Sequence, residues 1–268
     1  MKIEEMNSQI GYSIFDSATH PTLDGSWTSN RDGQSFSQLA ESVSHFPGYR
    51  VLAHGLPSLG NYSHSRHLEN CQEFGFVAVA ALTTLDSVRI SEEIELVASL
   101  GYRGINVHPR MLGSNHSLAF LPEVFSACTE TGLTCLLCTY EASSPGNLPE
   151  KDPFYEICGA LNLSPEVKLV LMHGGLSRLL QFSGLARHSS SILLDLSHTI
   201  MDRCTKSLRD SIRVLMAELD ERICVGSDSP DFQIDAFVDQ LRTYLEGLSA
   251  EKALNIAYKN LSRLLSIN

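Results

Sequence analysis

Short apolar, β-branched runs recur along the chain, and each is followed by a segment with helical spacing. The runs are Tyr12–Asp16, Tyr49–His54, Phe76–Leu82, Arg103–His108, Leu133–Thr139, Val167–Met172, Ser191–Leu196 and Arg222–Ser227. Several, Val167–Met172 most clearly, are continuously hydrophobic rather than alternating, as strands buried on both faces are. Between them, Phe36, Leu39, Ala40 and Val43 repeat at helical spacing. Glu92–Leu100 and Leu121–Thr131 also read as helices, and each closes on a glycine, Gly101 or Gly132, where a left-handed cap is wanted. Ser207–Leu219 and Ile234–Leu245 follow. Ser249 then has the chemistry of an N-cap, with an acid in the first turn, before a last helix over Ala253–Leu265.

The order is therefore β then α, eight times, with no Pro/Gly-rich linker between units. Alternation of this kind requires parallel strands joined by crossover helices. Eight units in 268 residues predict one α/β domain over residues 1–268: a closed (β/α)8 TIM barrel with a C-terminal capping helix. An open doubly wound sheet is the alternative. It would carry a glycine-rich phosphate loop after its first strand, and Phe15–Pro21 is not one.

Charge then narrows the partners. With 20 Lys and Arg against 31 Asp and Glu, the net charge is −11, which disfavours nucleic acid and an anionic membrane surface. The partner expected is a small molecule. No apolar run approaches the ~20 residues that span a bilayer. The N-terminal residues carry no apolar leader, so the expected compartment is the cytoplasm, with the seven Cys as reduced thiols. Cys135 and Cys138 have C-x-x-C spacing, but within a strand positions i and i+3 face opposite ways.

The titratable residues gather at strand ends. Asp16 and His20 follow strand 1, His54 ends strand 2, and His108 ends strand 4 with Arg110 beyond it. Cys138-Thr139-Tyr140 end strand 5, and His173-Gly174-Gly175 follow strand 6. Asp195, Ser197 and His198 lie on strand 7, and Gly226-Ser227-Asp228 close strand 8. In a barrel these ends meet at one mouth, where active sites are built. Arg50, Arg103, Lys168 and Arg222 fall at strand starts, at the closed end. His54, followed by Gly55, reads as a backbone-bonding residue. His45, His64, His67, His116 and His188 read as surface residues. Thr22–Gln34, which contains Trp27, reads as a lid, and Pro57–Arg66 and Met111–Leu118 as further pocket loops.

At these residues the sequence resembles the amidohydrolase superfamily, in its amidohydrolase-related (amidohydrolase 2) branch of TIM-barrel metal-dependent hydrolases and lactone hydrolases. The matching pieces are Phe15–Pro21 against a D-x-H-x-H first strand, Gly101–Pro109 in strand 4, Val167–Gly175 with H-G-G, Leu194–Ser197, the G-S-D-x-P element Arg222–Pro230, and the closing helix Asn255–Leu261. Two positions depart: Ala18 stands for the first His of D-x-H-x-H, and Cys138 for the fifth-strand His.

The resemblance implies a hydrolase for a small polar substrate, a lactone or other cyclic ester before an amide. Asp228 would be the general base, and His20 and His173 would polarise the carbonyl. His108, Arg110, Tyr140 and Ser197 would contact substrate, with Arg110 suited to a carboxylate. His20, Cys138, His173 and Asp228 are the metal ligands left. That set favours one zinc ion over magnesium, and metal-free chemistry is the alternative. A non-oxidative decarboxylase and a degenerate binding barrel are the rival readings. A homo-oligomer is compatible with the family, and no motif fixes it.

Overall fold

The computed structural model describes residues 13–28, 32–113, 117–140, 151–201 and 205–267. Tyr12, His116 and parts of the loop segments 22–34 and 111–118 lie outside them. Eight parallel strands follow one another around the sheet in chain order: β1 (Ile14–Thr19), β2 (Tyr49–His54), β3 (Val77–Ala81), β4 (Gly104–Val107), β5 (Thr134–Cys138), β6 (Leu169–Met172), β7 (Ile192–Asp195) and β8 (Ile223–Cys224). All eight expected runs are strands. Backbone bonds close the barrel: the Ser17 amide donates to the Val225 carbonyl (3.0 Å), the Asp228 amide to Ala18 (2.9 Å), and the His20 amide to Ser229 (2.8 Å). Gly226 makes this seam possible. A Cβ there would stand 2.6 Å from the Ala18 nitrogen and 2.8 Å from Asp16 Oδ1.

Strand 1 runs three residues beyond its expected end, through a register shift between Asp16 and Thr19. Asp16 is therefore inside the wall, not at the mouth. It accepts from Tyr49 Oη (2.5 Å), the Ala18 amide (3.1 Å) and the Ser227 amide (2.9 Å). Burial still raises its carboxyl to about 6.

Two apolar clusters follow from strand alternation. One lies between strands and helices and includes Cys135, Ile105 and Phe125. The other includes Phe15, Leu52, Val79, Leu136, Val170 and Leu193, and it is completed by Leu261, Leu264 and Leu265. The last three belong to the C-terminal helical stretch, which runs through Ala250–Leu254, a π-turn at Asn255–Lys259, and Asn260–Leu264. Ser249 caps it, accepting from the Lys252 amide (3.3 Å). Asn260 Nδ2 donates to the Ile223 carbonyl (2.8 Å), and Tyr258 Oη accepts from Arg50 Nη1 (3.0 Å). This stretch closes the barrel at the strand starts, leaving the strand ends for chemistry. Gly101 and Gly132 are left-handed caps, as their positions predict. No helix among the described residues is long and apolar enough to cross a membrane.

Candidate active site

The strand ends surround a cavity of about 570 Å³. His20, His173 and Asp228 line it, with Arg110, Tyr140 and His198 on the β4–β7 side. His108, Leu56 and Met111 also reach it, as do Trp27 and Thr28 from the loop after β1 and Asp231 from the loop after β8. The expected pocket loop after β1 is therefore in place at Trp27. Arg110 stacks its guanidinium 4.5 Å from the centre of the Tyr140 ring.

His173 and Asp228 leave their strands with left-handed backbone, φ 64° and 57°. A non-glycine residue adopts that conformation at a cost of order 1 kcal/mol or more, and such strain clusters at functional sites. Gly174 and Gly175 continue the turn after His173 at φ 58° and 72°. A Cβ on Gly175 would lie 2.3 Å from the Phe182 ring, so only glycine fits there.

Hydrogen bonding fixes the orientation of the His173 ring. Ser197 Oγ donates to Asp195 Oδ2 (2.5 Å) and lies 3.0 Å from His173 Nδ1. Its one proton is committed to the carboxylate, so His173 Nδ1–H is the donor to Ser197 Oγ. Asp195 also accepts from Ser17 Oγ (2.5 Å) and from the His173 amide (3.0 Å). Burial works against charge on His173, but Asp228, Cys138 and Asp195 outweigh it and raise the imidazole to about 9. Burial likewise opposes charge on Asp228. There, His173 and His20 prevail and hold the carboxyl well below its usual range. His20 Nε2 sits 3.2 Å from Asp228 Oδ1. A buried carboxylate thus faces an imidazolium at the cavity, with a second imidazole bonded to it.

Not every expected residue reaches substrate. Ser197 is fully buried, and its hydroxyl is occupied between His173 and Asp195, so it orients His173 instead. Cys138 is buried at the end of β5. The Val107↔Leu137 register brings His108 level with it, and Cys138 itself pairs with Met172, just before His173. Burial alone would raise that thiol; the charges of His108 and His173 bring it well below its usual value. His54 behaves as its sequence context predicts, Nε2 lying 2.8 Å from the Ser17 carbonyl. His67 does not: it is buried, with Nδ1 3.2 Å from Tyr102 Oη. His64 is half-buried between Tyr62 (2.8 Å) and Glu93 (3.0 Å). Both belong to a polar cluster beneath the β2 and β3 loops, a placement that helical spacing alone does not convey.

The donors do not fit a metal centre of the family kind. His20 and Asp228 are bonded to each other, and the third position is the buried methyl of Ala18. Among the described residues, no three His, Cys, Asp or Glu side chains are grouped to hold one ion. The expected set His20, Cys138, His173 and Asp228 is thus not assembled as ligands. A catalytic metal ordinarily takes about three protein ligands and an open position.

An amidohydrolase family model matches residues 63–260. The chain belongs to the amidohydrolase family. It is an enzyme of the hydrolase class. No curated protein matches the sequence. Solved structures share the fold. An uncharacterised TIM-barrel protein of Bordetella bronchiseptica aligns with TM-score 0.70 at 16% identity, over 98% of this chain and 89% of its own. A protein of Acinetobacter baumannii, described as a probable 2-pyrone-4,6-dicarboxylic acid hydrolase with citric acid bound, aligns at 0.62 and 12%, over 95% and 100%. The Metarhizium anisopliae IDCase in apo form aligns at 0.62 and 14%, over 96% and 97%.

Proposed function

We propose that this amidohydrolase opens a lactone or other cyclic ester that carries a carboxylate. The observation that carries the reading is a cavity lined by Asp228, its bonded partner His20 and His173, whose other side presents Arg110. Water attacks the ring carbonyl carbon while Asp228 takes one of its protons. The His173 imidazolium stabilises the oxyanion that forms. His20 holds Asp228 in place through Nε2. Collapse of the tetrahedral intermediate breaks the ring C–O bond, and the proton on Asp228 passes to the departing oxygen. The product is a hydroxy or keto acid, and the site returns to its starting charge. Arg110, stacked on Tyr140, anchors the substrate carboxylate through its planar fork, with His108 beside it. The Acinetobacter baumannii neighbour of the same fold is described with citric acid, a polycarboxylate, bound.

A panel of carboxylated lactones, 2-pyrone-4,6-dicarboxylate among them, tests the reading. Wild type should consume one water per ring opened. Asp228→Asn should lose about 10²- to 10⁴-fold in kcat with an unchanged circular dichroism spectrum. Near-normal turnover by that variant would remove Asp228 from the base role. A decarboxylase is the second reading, favoured by the likeness to IDCase. Release of CO2 without water uptake would establish it instead.

A further inference from the structure

The loop after β1 does more than border the cavity. Its indole packs on the ring of His20, with centroids 5.8 Å apart and planes inclined by 31°. On another side His54 meets His20 edge-on at 5.2 Å. The imidazole is thus held between two rings while Nε2 meets Asp228 at 3.2 Å. The indole is itself tethered, since Trp27 Nε1 donates to Asp231 Oδ1 at 3.0 Å. Asp231 belongs to the turn that carries Asp228, its amide donating to the Asp228 carbonyl at 3.0 Å. A second tie runs parallel to the first, from Ser229 Oγ to Gln34 Oε1 at 2.6 Å. The stretch that presents the indole is folded on itself. Thr22 Oγ1 donates to the Ser26 carbonyl (2.8 Å), and the Ser26 amide to Asp24 Oδ1 (3.0 Å).

We propose that Trp27 is a positioning residue, fixing the His20 ring against Asp228, with Asp231 as the anchor of its indole. The proposal rests on the hydrolytic reading above for its kinetic consequence, but not for its structural one. A tilted ring contact alone would leave the indole free to slide. The hydrogen bond to Asp231 sets its height over His20 and joins the β1 loop to the β8 turn. His20 is 5% exposed, and its Nδ1 has no hydrogen-bond partner among the described residues. Neither a bond at Nδ1 nor bulk water therefore fixes that end of the ring. The flanking rings and the single contact to Asp228 hold it, so removal of one ring frees the imidazole to turn.

Trp27 is the single tryptophan of the chain, so its fluorescence reports on this contact without substrate. In Asp231→Ala, emission should shift to the red and acrylamide quenching should rise, with the far-ultraviolet circular dichroism unchanged. Long-range 1H–15N spectra of the histidine rings give a second substrate-free reading. In wild type the His20 pattern should be that of one tautomer protonated at Nε2. In Trp27→Ala it should average between tautomers, and Trp27→Phe, which keeps a ring face, should restore most of the wild-type pattern. On a lactone that wild type opens, Trp27→Ala should lower kcat about tenfold with a smaller change in KM. Identical His20 signals in wild type and Trp27→Ala would overturn the proposal. So would a raised KM at unchanged kcat, which would make Trp27 a wall for substrate only. Failure of every lactone to react would count against the hydrolytic reading, and the ring spectra would still decide the role of Trp27.

Discussion

His173 joins three roles in one ring. Its backbone is left-handed, its Nδ1–H is committed to Ser197, and Asp228, Cys138 and Asp195 raise the imidazole against its burial. The Asp195–Ser197–His173 chain occupies Nδ1 and sets the orientation of the ring. Because the imidazole is raised to about 9, lactone opening should decline as pH rises through about 9, read from the alkaline limb of kcat against pH. A rate that keeps climbing past that point would mean that neutral imidazole suffices. Arg110 makes a separate prediction. Its fork and its stack on Tyr140 both require a planar guanidinium. Arg110→Lys should therefore raise KM for a carboxylated lactone about tenfold, while kcat stays near wild type. Equal KM values would move the carboxylate site elsewhere.

At the scale of elements, the seam between β8 and β1 carries the site, because it brings Asp228 to His20. Gly226 lies in that seam, where a methyl would strike the Ala18 nitrogen, Ser17 Oγ and Asp16 Oδ1 at 2.6 to 2.8 Å. Gly226→Ala should destabilise the barrel by about 1–3 kcal/mol in a denaturant titration and lower activity with it. A neutral substitution would mean that the seam is looser than its geometry. The strands were legible in the sequence because both of their faces are buried, so the apolar runs were continuous. β1 was cut short because Asp16 and Ser17 look like a turn, whereas their polar groups are satisfied inside the wall by Tyr49, Ser227 and Asp195. The H-G-G and G-S-D elements located His173 and Asp228 from composition at strand ends. The role of Ser197 was not legible, since whether a hydroxyl faces substrate or braces a histidine depends on three-dimensional direction. Asp231 was missed for the same reason: nothing in its spacing shows that an indole 204 positions away would bond to it.

For the whole molecule, the charge pair at the mouth couples stability to pH. The folded-state value of His173 is raised from 6.5 to about 9, so its stabilisation is complete below about 6.5 and is lost as pH rises through about 9. A gap of this size corresponds to roughly 3 kcal/mol as an upper bound. Asp16 acts in the same direction at lower pH. Its carboxyl is raised to about 6 by burial, so its own contribution declines as pH rises from about 4 to 6, while the buried His54 and His67, both lowered, act the other way. Cys138, lowered in the fold, acts the other way in this window, so the His173 contribution is read as a difference: His173→Gln should lower Tm more at pH 6.5 than at pH 9. A Tm difference between the two proteins that is the same at both pH values would contradict a charged His173. The acidic surplus of the chain adds to the same trend, since raising pH removes positive charge from a molecule already at −11.

The central claim is that His20, His173 and Asp228 perform the hydrolysis with Ala18 standing where the family places a metal-binding His. It is tested most directly by measuring metal content and lactone turnover on the same chelator-treated sample. Turnover should be undiminished with far less than one metal per chain, and lost in Asp228→Asn. Activity that disappears with the metal and returns in proportion to one added equivalent would contradict it.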